Sequence, residues 1–356
     1  MKNTRPALPP LVDLVAKRMT RIENQTIDET CPIGIIDFEL WEWPQGVGLY
    51  GLYKHHRETG DPRVLDTINA WFERRLRAGL PAKNVNTMAP MLTLAHLAET
   101  GAGKTRLALC TEWADWVMTE MPRTGDHGLQ HIVTGETNEH QVWADTLFMT
   151  VLFLAKMGVI LKRRDYIEES IRQFLVHIKY LCDRKTGLWY HGWTFDGRHN
   201  FANALWARGN CWITAGIPEY LDIVPDLPPS IESYLLDTLA AQAAALAKCQ
   251  RPDGLWTTLL DDPRSYVETS ATAGFGYGIL KSVRKGYLDN TFIETGRNAL
   301  DAIVRNIAPD GTVRQVSYGT GMGRDLDHYR NIPVCPMAYG QALALLLLNE
   351  GMKLDL

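Results

Sequence analysis

The chain has 356 residues, of which 46% are apolar, 22% charged and 9% aromatic. This composition is typical of a globular protein and excludes an intrinsically disordered chain. The 37 basic and 41 acidic residues give a formal net charge of -4, which argues against nucleic acid as a partner, because that binding usually requires a concentrated basic surface.

Apolar residues recur at helical spacing along most of the chain. In the first such segment they stand at positions 11, 14, 15, 19 and 22, on one face of a helix. Because this helical spacing dominates, the chain is predicted to be all-α. Short β ribbons are predicted only near residues 188–193 and 312–317. The predicted helices span residues 11–22, 46–56, 64–76, 88–97, 107–121, 142–157, 166–181, 231–249, 271–283, 292–307 and 338–348.

A weak repeat underlies these helices. Gly128, Gly187, Gly254 and Gly311 each follow a polar turn, at intervals of about 60 residues, and each interval holds about two predicted helices. The repeating unit is then a helical hairpin, and about six units fit in the chain. Six hairpins packed on their neighbours predict a closed double ring, an (α/α)6 barrel, forming a single domain over residues 1–356. An open helical solenoid is the alternative, although such arrays usually have shorter periods and fewer Trp residues.

The segment 141–149 holds a carboxylic acid in apolar surroundings. Asp145 lies between Trp143 and the apolar residues Leu147, Phe148 and Met149. One interpretation is an ordinary first-turn Asp that favours the helix dipole. The other is a general acid, because burial among apolar side chains raises the pKa of a carboxyl group toward neutral pH. The residues alone leave both interpretations open.

A second segment is rich in aromatic and polar side chains. Four Trp, one Tyr, two His and two Arg fall within residues 189–212. This mixture is typical of a sugar site, where rings stack on indoles and an Arg fork pairs with a carboxylate. Each Trp alone is equally compatible with a place in the core.

Several smaller features complete the pattern. Trp43 begins a Trp-rich helix start, His131 follows the first Gly-Leu turn, and Asn86 is most simply an N-cap. Residues 319–323 are Gly-rich and are interpreted as a loop. The six cysteines lie far apart without a CxxC pair, so we expect buried small side chains rather than disulfides or zinc ligands. The histidines lack metal-ligand spacing, and no metal or cofactor is expected.

The motifs together, in this order, resemble glycoside hydrolase family 105, the unsaturated rhamnogalacturonyl hydrolases, to which the unsaturated glucuronyl hydrolases are related. The matching segments run from residues 43–46 to residues 336–342, and segments 141–149 and 206–212 are the most specific. The family fold is the (α/α)6 barrel. The resemblance implies removal of the terminal uronic acid that polysaccharide lyases leave with a C4=C5 bond. In the family one Asp protonates C4 and helps water add at C5, and by motif position that residue is Asp145.

The resemblance also implies the residues that bind the substrate, a small oligosaccharide such as the unsaturated galacturonyl-rhamnose of pectin. Arg208 and the histidines are expected to hold the uronate carboxylate or its hydroxyls. The family often has a second Asp at the position of Asn86, where a neutral amide cannot act as a base. The implied binding residues are Trp43, Asn86, His131, His191, Trp206, Arg208 and Trp212.

Other functions are open at this point. They are an unsaturated glucuronyl hydrolase, an (α/α)6-barrel sugar epimerase or isomerase that uses several His, and a helical scaffold for partner proteins. A scaffold would have no reason to concentrate Trp, His and Arg in one set of segments. No apolar run approaches the ~20 residues of a membrane span, and residues 1–10 are polar and Pro-rich, so we expect a cytoplasmic protein without a membrane partner.

Overall fold

The computed structural model describes residues 7–23, 36–100 and 103–356, so that Cys31 and residues 1–6 lie outside it. The described residues form thirteen α-helices and one two-stranded ribbon. The inner helices are α2 (Trp43–Thr59), α4 (Val85–Glu99), α6 (Leu152–Leu161), α8 (Ala207–Ile223), α10 (Thr269–Arg284) and α13 (Ala338–Lys353). The outer helices are α1 (Leu8–Met19), α3 (Pro62–Ala78), α5 (Lys104–Thr119), α7 (Arg164–Leu181), α9 (Pro229–Cys249) and α11 (Ile293–Asn306), and the short α12 (Leu326–Arg330) lies in a loop.

The inner helices form a closed ring. Each packs on the inner helix before and after it, and α13 packs on α2. Outer helices cover the ring, with α3 on α2 and so on around to α1 on α13. The predicted (α/α)6 barrel is thereby confirmed.

The turns of the repeat explain how the ring closes. Gly187, Gly254 and Gly311 have φ of 86°, 83° and 88°, a left-handed conformation that glycine adopts readily. A Cβ at these positions would strike a carbonyl of α9, α11 and α1, respectively. The last of these contacts brings the turn before α12 and α13 against the first helix, α1. Gly128 does not share the conformation, because its φ is −61°.

Helix α8 is absent from the predicted helices. Sixteen of its residues are buried, because it stands in the inner ring with neighbours on all sides, so its sequence shows no amphipathic stripe. It also contains Gly209 and Pro218, which lower helix propensity. The other five inner helices were predicted, so α8 is the one inner helix whose burial and composition together hid it.

Three other predictions need correction. The segment 142–157 begins as strand β1 (Gln141–Trp143), and its helix starts with a π-turn at Leu147–Val151 that continues into α6. Strand β1 pairs with β2 (Gly192–Thr194), whereas residues 312–317 make only isolated bridges. Among the described cysteines, two are fully buried and Cys182, Cys249 and Cys335 are partly exposed.

No helix in the described ranges combines the length and apolar character needed to cross a bilayer.

Candidate active site

A cavity of about 500 Å³ opens at the end of the ring where the inner helices begin. The first turns of three inner helices supply Trp43, Asn86 and Arg208, and the turn before α6 supplies Asp145. Helix N-termini carry partial positive charge and unpaired N–H groups, which favour an anion. The architecture therefore places a polar cavity where negative charge is stabilised.

Asp145 lies in the wall of this cavity, between strand β1 and the π-turn. Its Oδ1 accepts a hydrogen bond of 3.0 Å from Trp212 Nε1. Its Oδ2 is 3.4 Å from His191 Nε2, without the alignment of a hydrogen bond, so both atoms keep unused bonding capacity. The backbone beside it is fixed, because Ala144 N–H donates to the carbonyl of His191.

The pKa of Asp145 differs from the sequence-based expectation. Burial does raise the pKa of this carboxyl, as expected, but the facing imidazole of His191, with smaller contributions from His131 and Arg208, outweighs burial. The pKa of Asp145 is therefore held below its ordinary value in the protein without substrate. The aromatic neighbours in the sequence predicted only desolvation of the Asp145 carboxyl. His191 and Arg208, which lower its pKa, come from other segments and could not be identified from residues 141–149.

Two histidines flank this carboxylate. His131 stacks on Trp143 with ring centroids 4.0 Å apart, and its Nδ1 is 2.9 Å from Thr146 Oγ1. Burial lowers the pKa of His131 to about 3 and also lowers that of His191. Both imidazoles are therefore neutral near pH 7. His131 lines the cavity, whereas His191, like Trp212, is buried behind Asp145 and does not line it.

Arg208 lies with its guanidinium between two aromatic rings. The centroid of Trp206 is 4.5 Å away and that of Tyr339 is 5.0 Å away. Its Nη1 donates to the carbonyl of Ser317 at 3.0 Å and its Nη2 to that of Tyr318 at 2.7 Å. Its Nε is buried without a partner. A cation with an unsatisfied donor in a cavity wall is suited to a carboxylate ligand.

The segment that holds Arg208 is itself anchored. Glu268 caps α10 by accepting from the N–H groups of Ser270 and Ala271, and it also accepts the N–H of Ser317 at 2.8 Å. Sequence reasoning missed Glu268 because its role depends on residues 49 positions away. The available signal was its position three residues before the helix predicted over residues 271–283.

Asn86 was expected to cap α4, but the N-cap is Asn84. The side chain of Asn84 accepts from Thr87 N, and Thr87 Oγ1 accepts from Asn84 N, which completes a capping box. Asn86 is the second residue of the helix and lines the cavity. Its amide is thus available to a ligand. Trp43 stacks on Tyr339 at 4.5 Å, and Trp206 keeps a buried Nε1 without a partner.

The mouth of the cavity was not predicted. Exposed acidic residues Glu136, Glu139 and Asp196 line it. The Gly-rich loop 319–323, interpreted only as a loop, places Gly321 and Met322 in the lining, followed by Arg324. Within the described ranges, no group of three or more His, Cys, Asp or Glu is arranged to hold a metal ion.

Comparisons with known proteins identify the family of this chain. The sequence model of Glycosyl Hydrolase Family 88 matches residues 15–354. The chain is 32% identical over 341 residues to the unsaturated rhamnogalacturonyl hydrolase YesR of Bacillus subtilis, covering 95% of this chain and 96% of that protein.

Two crystal structures are similar over nearly the whole chain. A possible member of the GH105 family from Salmonella enterica serovar Paratyphi A superposes with a TM-score of 0.95 at 47% identity, covering 100% of this chain and 97% of that one. A possible GH105 member from Klebsiella pneumoniae gives 0.92 at 49% identity, covering 98% and 93%.

Fold, cavity and relatives together define a glycosidase built on an (α/α)6 barrel. The chain belongs to glycosyl hydrolase family 88. The resemblance to family 105 that the sequence motifs carry is confirmed by the same comparisons.

Proposed function

We propose that this glycosidase removes a terminal 4,5-unsaturated uronic acid from short lyase products, with unsaturated galacturonyl-rhamnose as the substrate. The observation that carries the proposal is the pairing of one carboxylic acid, Asp145, with one buried cation, Arg208, in a single aromatic-walled cavity. The name of the Bacillus subtilis relative supports the rhamnogalacturonan origin of the substrate.

The reaction needs one acid/base group. Asp145 donates a proton to C4 of the sugar, a water oxygen bonds to C5, and the proton lost by that water returns to Asp145. The resulting hemiketal opens to a ketone at C5 and leaves a hemiacetal hydroxyl on C1. The hemiacetal collapses to an aldehyde, its proton passes to the oxygen of the departing aglycone, and one water is consumed overall. Ordinary glycosidases instead need two opposed carboxyl groups at the anomeric carbon. The acidic residues other than Asp145 that line the cavity, Glu136, Glu139 and Asp196, are exposed at its mouth.

The substrate itself provides the change in proton affinity that a general acid requires. Arg208 lowers the pKa of Asp145 in the free protein. A bound uronate carboxylate would pair with Arg208 and bring a like charge close to Asp145, and both effects raise the pKa of an acid. A larger fraction of Asp145 is then protonated in the complex than in the free protein.

The pH dependence of activity should differ between the free enzyme and the complex. The form that donates is the protonated acid, so activity falls as pH rises through the pKa of Asp145. Because kcat reports the complex and kcat/KM the free enzyme, the alkaline limb of kcat should lie at higher pH than that of kcat/KM. Coincident limbs would show that the substrate does not change the proton affinity of Asp145.

The direct test is an ultraviolet assay on lyase digests. Lyase-digested rhamnogalacturonan, lyase-digested homogalacturonan and lyase products that end in unsaturated glucuronate are compared at equal double-bond concentration. Hydration removes the absorbance of the conjugated double bond. We expect the fastest loss with the rhamnogalacturonan product. Preference for a glucuronyl product would identify the related glucuronyl activity, and no loss with any digest would contradict the proposal.

A further inference from the structure

A line of polar contacts runs from the Gly-rich loop to Asp145 behind the cavity wall. Gly323 N–H donates to Tyr329 Oη at 3.1 Å. Tyr329 Oη is 2.8 Å from His191 Nδ1, and His191 Nε2 faces Asp145 Oδ2 at 3.4 Å. Tyr329 is fully buried and does not line the cavity. Its hydroxyl therefore reaches the reaction only through His191.

The hydrogen atoms in this line have two possible arrangements. A neutral imidazole carries one N–H and a tyrosine one O–H. If Tyr329 donates to Nδ1 of His191, the imidazole hydrogen is on Nε2 and faces the carboxylate. If Nδ1–H donates to Tyr329, the acceptor left for the hydroxyl hydrogen among the described residues is the Met322 sulfur, 3.5 Å away, and thioether sulfur is a weak acceptor.

The second arrangement also places two electron-rich atoms against each other. The Nε2 lone pair of His191 would face Oδ2 of an ionised Asp145 at 3.4 Å. The first arrangement gives the Tyr329 hydroxyl hydrogen a nitrogen acceptor at 2.8 Å and leaves the Nε2 hydrogen of His191 facing the carboxylate at 3.4 Å. The contacts of Tyr329 thus select one tautomer of His191.

We propose that Tyr329 is a positioning residue that holds His191 in the Nε2–H tautomer and thereby sets the proton affinity of Asp145. The kinetic part of this inference rests on the proposed function, in which Asp145 is the proton donor. An Asp145 that is a stronger acid transfers its proton to C4 with a larger driving force.

Tyr329→Phe changes no charge near Asp145, so its effect on the pKa of Asp145 would come from the tautomer of His191. The titratable and charged groups that face it are His131 from the loop before β1, His191 from the segment before β2, and Arg208 from α8. The charge of Asp145 also raises the pKa of Cys211 in α8 and of Tyr329 in α12, so both of these groups are neutral and act on Asp145 with no charge of their own, and His328 of α12 acts on His191. Replacing Tyr329 by Phe keeps the ring and the net charge and removes the hydroxyl alone. A change in the behaviour of Asp145 would then report the lost contact to His191.

The first test measures the tautomer and needs no turnover. Protein with 15N-labelled histidine is compared by NMR as wild type and Tyr329→Phe, with the His191 signals assigned by their loss in His191→Asn. We expect a protonated Nε2 and a bare Nδ1 in the wild type, and a shift of population toward Nδ1–H in Tyr329→Phe. A wild-type proton on Nδ1, or an unchanged tautomer in the variant, would overturn the inference.

The second test is the pH profile of turnover. Loss of the Nε2–H donor destabilises the Asp145 carboxylate and raises its pKa, so the alkaline limb should move up by about half a pH unit or more. KM should stay within about twofold, because no substrate contact is removed. The matched control is Tyr220→Phe, which loses a buried 2.8 Å hydrogen bond to Ser170 in the barrel wall and should leave the profile unchanged.

A double variant separates this role from a general packing effect. If Tyr329 acts through His191, Tyr329→Phe should cause no further shift in a His191→Asn background. An equal shift there, or a raised KM with an unchanged profile, would contradict the inference. If the wild type turns over no unsaturated uronyl substrate, the proposed function fails, while the NMR comparison still decides the role of Tyr329.

Discussion

The two ends of the inner ring both bury charged groups, but they satisfy them differently. At the C-terminal ends, Glu219 accepts hydrogen bonds from Tyr50 and Tyr277 and pairs with Lys54 and Lys281. At the N-terminal ends, by contrast, the charged groups Asp145 and Arg208 of the cavity wall themselves keep atoms without partners, as do two neutral rings beside them. These atoms are Asp145 Oδ2, His191 Nε2, Trp206 Nε1 and Arg208 Nε.

The difference separates a structural cluster from a ligand site. A buried polar atom without a partner costs about 1–3 kcal/mol, and a protein tolerates several together where a ligand completes them. The cluster around Glu219 needs no ligand, because its carboxylate is saturated by hydroxyls and ammonium groups. Its histidine neighbour His96 has an unpaired Nε2, yet burial lowers its pKa to about 3 and so it carries no charge.

The largest expected effect is a loss of stability at the C-terminal ends of the inner helices, in the cluster around Glu219. Glu219→Gln removes the counter-charge of the partly buried Lys54 and leaves the buried Lys281 only its contact with Asp222, which should lower the free energy of unfolding by about 3 kcal/mol, the lower end for breaking a buried pair. Denaturant unfolding followed by circular dichroism measures it. Glu168→Gln, which breaks an exposed pair with Arg164, should cost under about 1 kcal/mol. Equal losses would show that the buried cluster is no more important than a surface pair.

The same variant should change how stability depends on pH. The lysines and hydroxyls around Glu219 hold its pKa well below the ordinary value of 4.5, although burial alone would raise it. A lowered folded-state pKa gives stability that is present above the unfolded pKa and is lost as pH falls toward the folded one. Glu219→Gln should therefore flatten the loss of stability below about pH 4.5.

In the cavity at the N-terminal ends of the inner helices, Asp145→Asn should lower kcat by at least ~100-fold, the smallest effect expected for loss of a general acid. The amide keeps the shape and can still accept from Trp212, so the thermal unfolding midpoint should change little. Steady-state rates on the preferred lyase product, with the unfolding midpoint as a check on folding, measure both. Turnover above about a tenth of the wild type would remove Asp145 from the mechanism.

Arg208→Lys tests whether the unpaired donor serves the substrate. Lysine lacks the planar fork, so KM for the uronate should rise by about tenfold, the worth of one charge-assisted hydrogen bond. The variant also loses contacts to the Ser317 and Tyr318 carbonyls, so some loss of stability is expected. The decisive measurement is the ratio of losses for charged and uncharged sugar ligands. Equal losses would make Arg208 a purely structural residue.

The smallest effect is expected at Asn86. Asn86→Asp adds a like charge to the cavity, which should raise the pKa of the acid/base group and shift the pH profile of activity upward. Asn84→Asp is the matched control, because Asp caps a helix about as well as Asn and position 84 does not line the cavity. Identical profiles for both variants and the wild type would return Asn86 to a structural role.

Much of the fold was predictable because outer helices show one buried face and the turns show repeated glycines. The helix over residues 166–181 was predicted close to its observed bounds, Arg164–Leu181. Helix α8 was missed because burial on all sides removes the stripe that marks an amphipathic helix. The segment around Asp145 allowed two interpretations, and the resemblance to family 105 was needed to favour the acid. The cap at Asn84 depended on a hydrogen bond that composition does not distinguish from one at Asn86.

The sequence by itself determined the class of fold, the repeat that closes the ring and the segments that carry the acid and the arginine, because periodicity, turn glycines and motif spacing are local properties. Only the tertiary structure decided which polar atoms remain unpaired. His191, Trp212 and Tyr329 come from different segments, and their place behind Asp145 follows from the closure of the ring. The sign of the pKa shift at Asp145 was likewise a tertiary property, because it depends on the groups that face the carboxylate across the cavity wall.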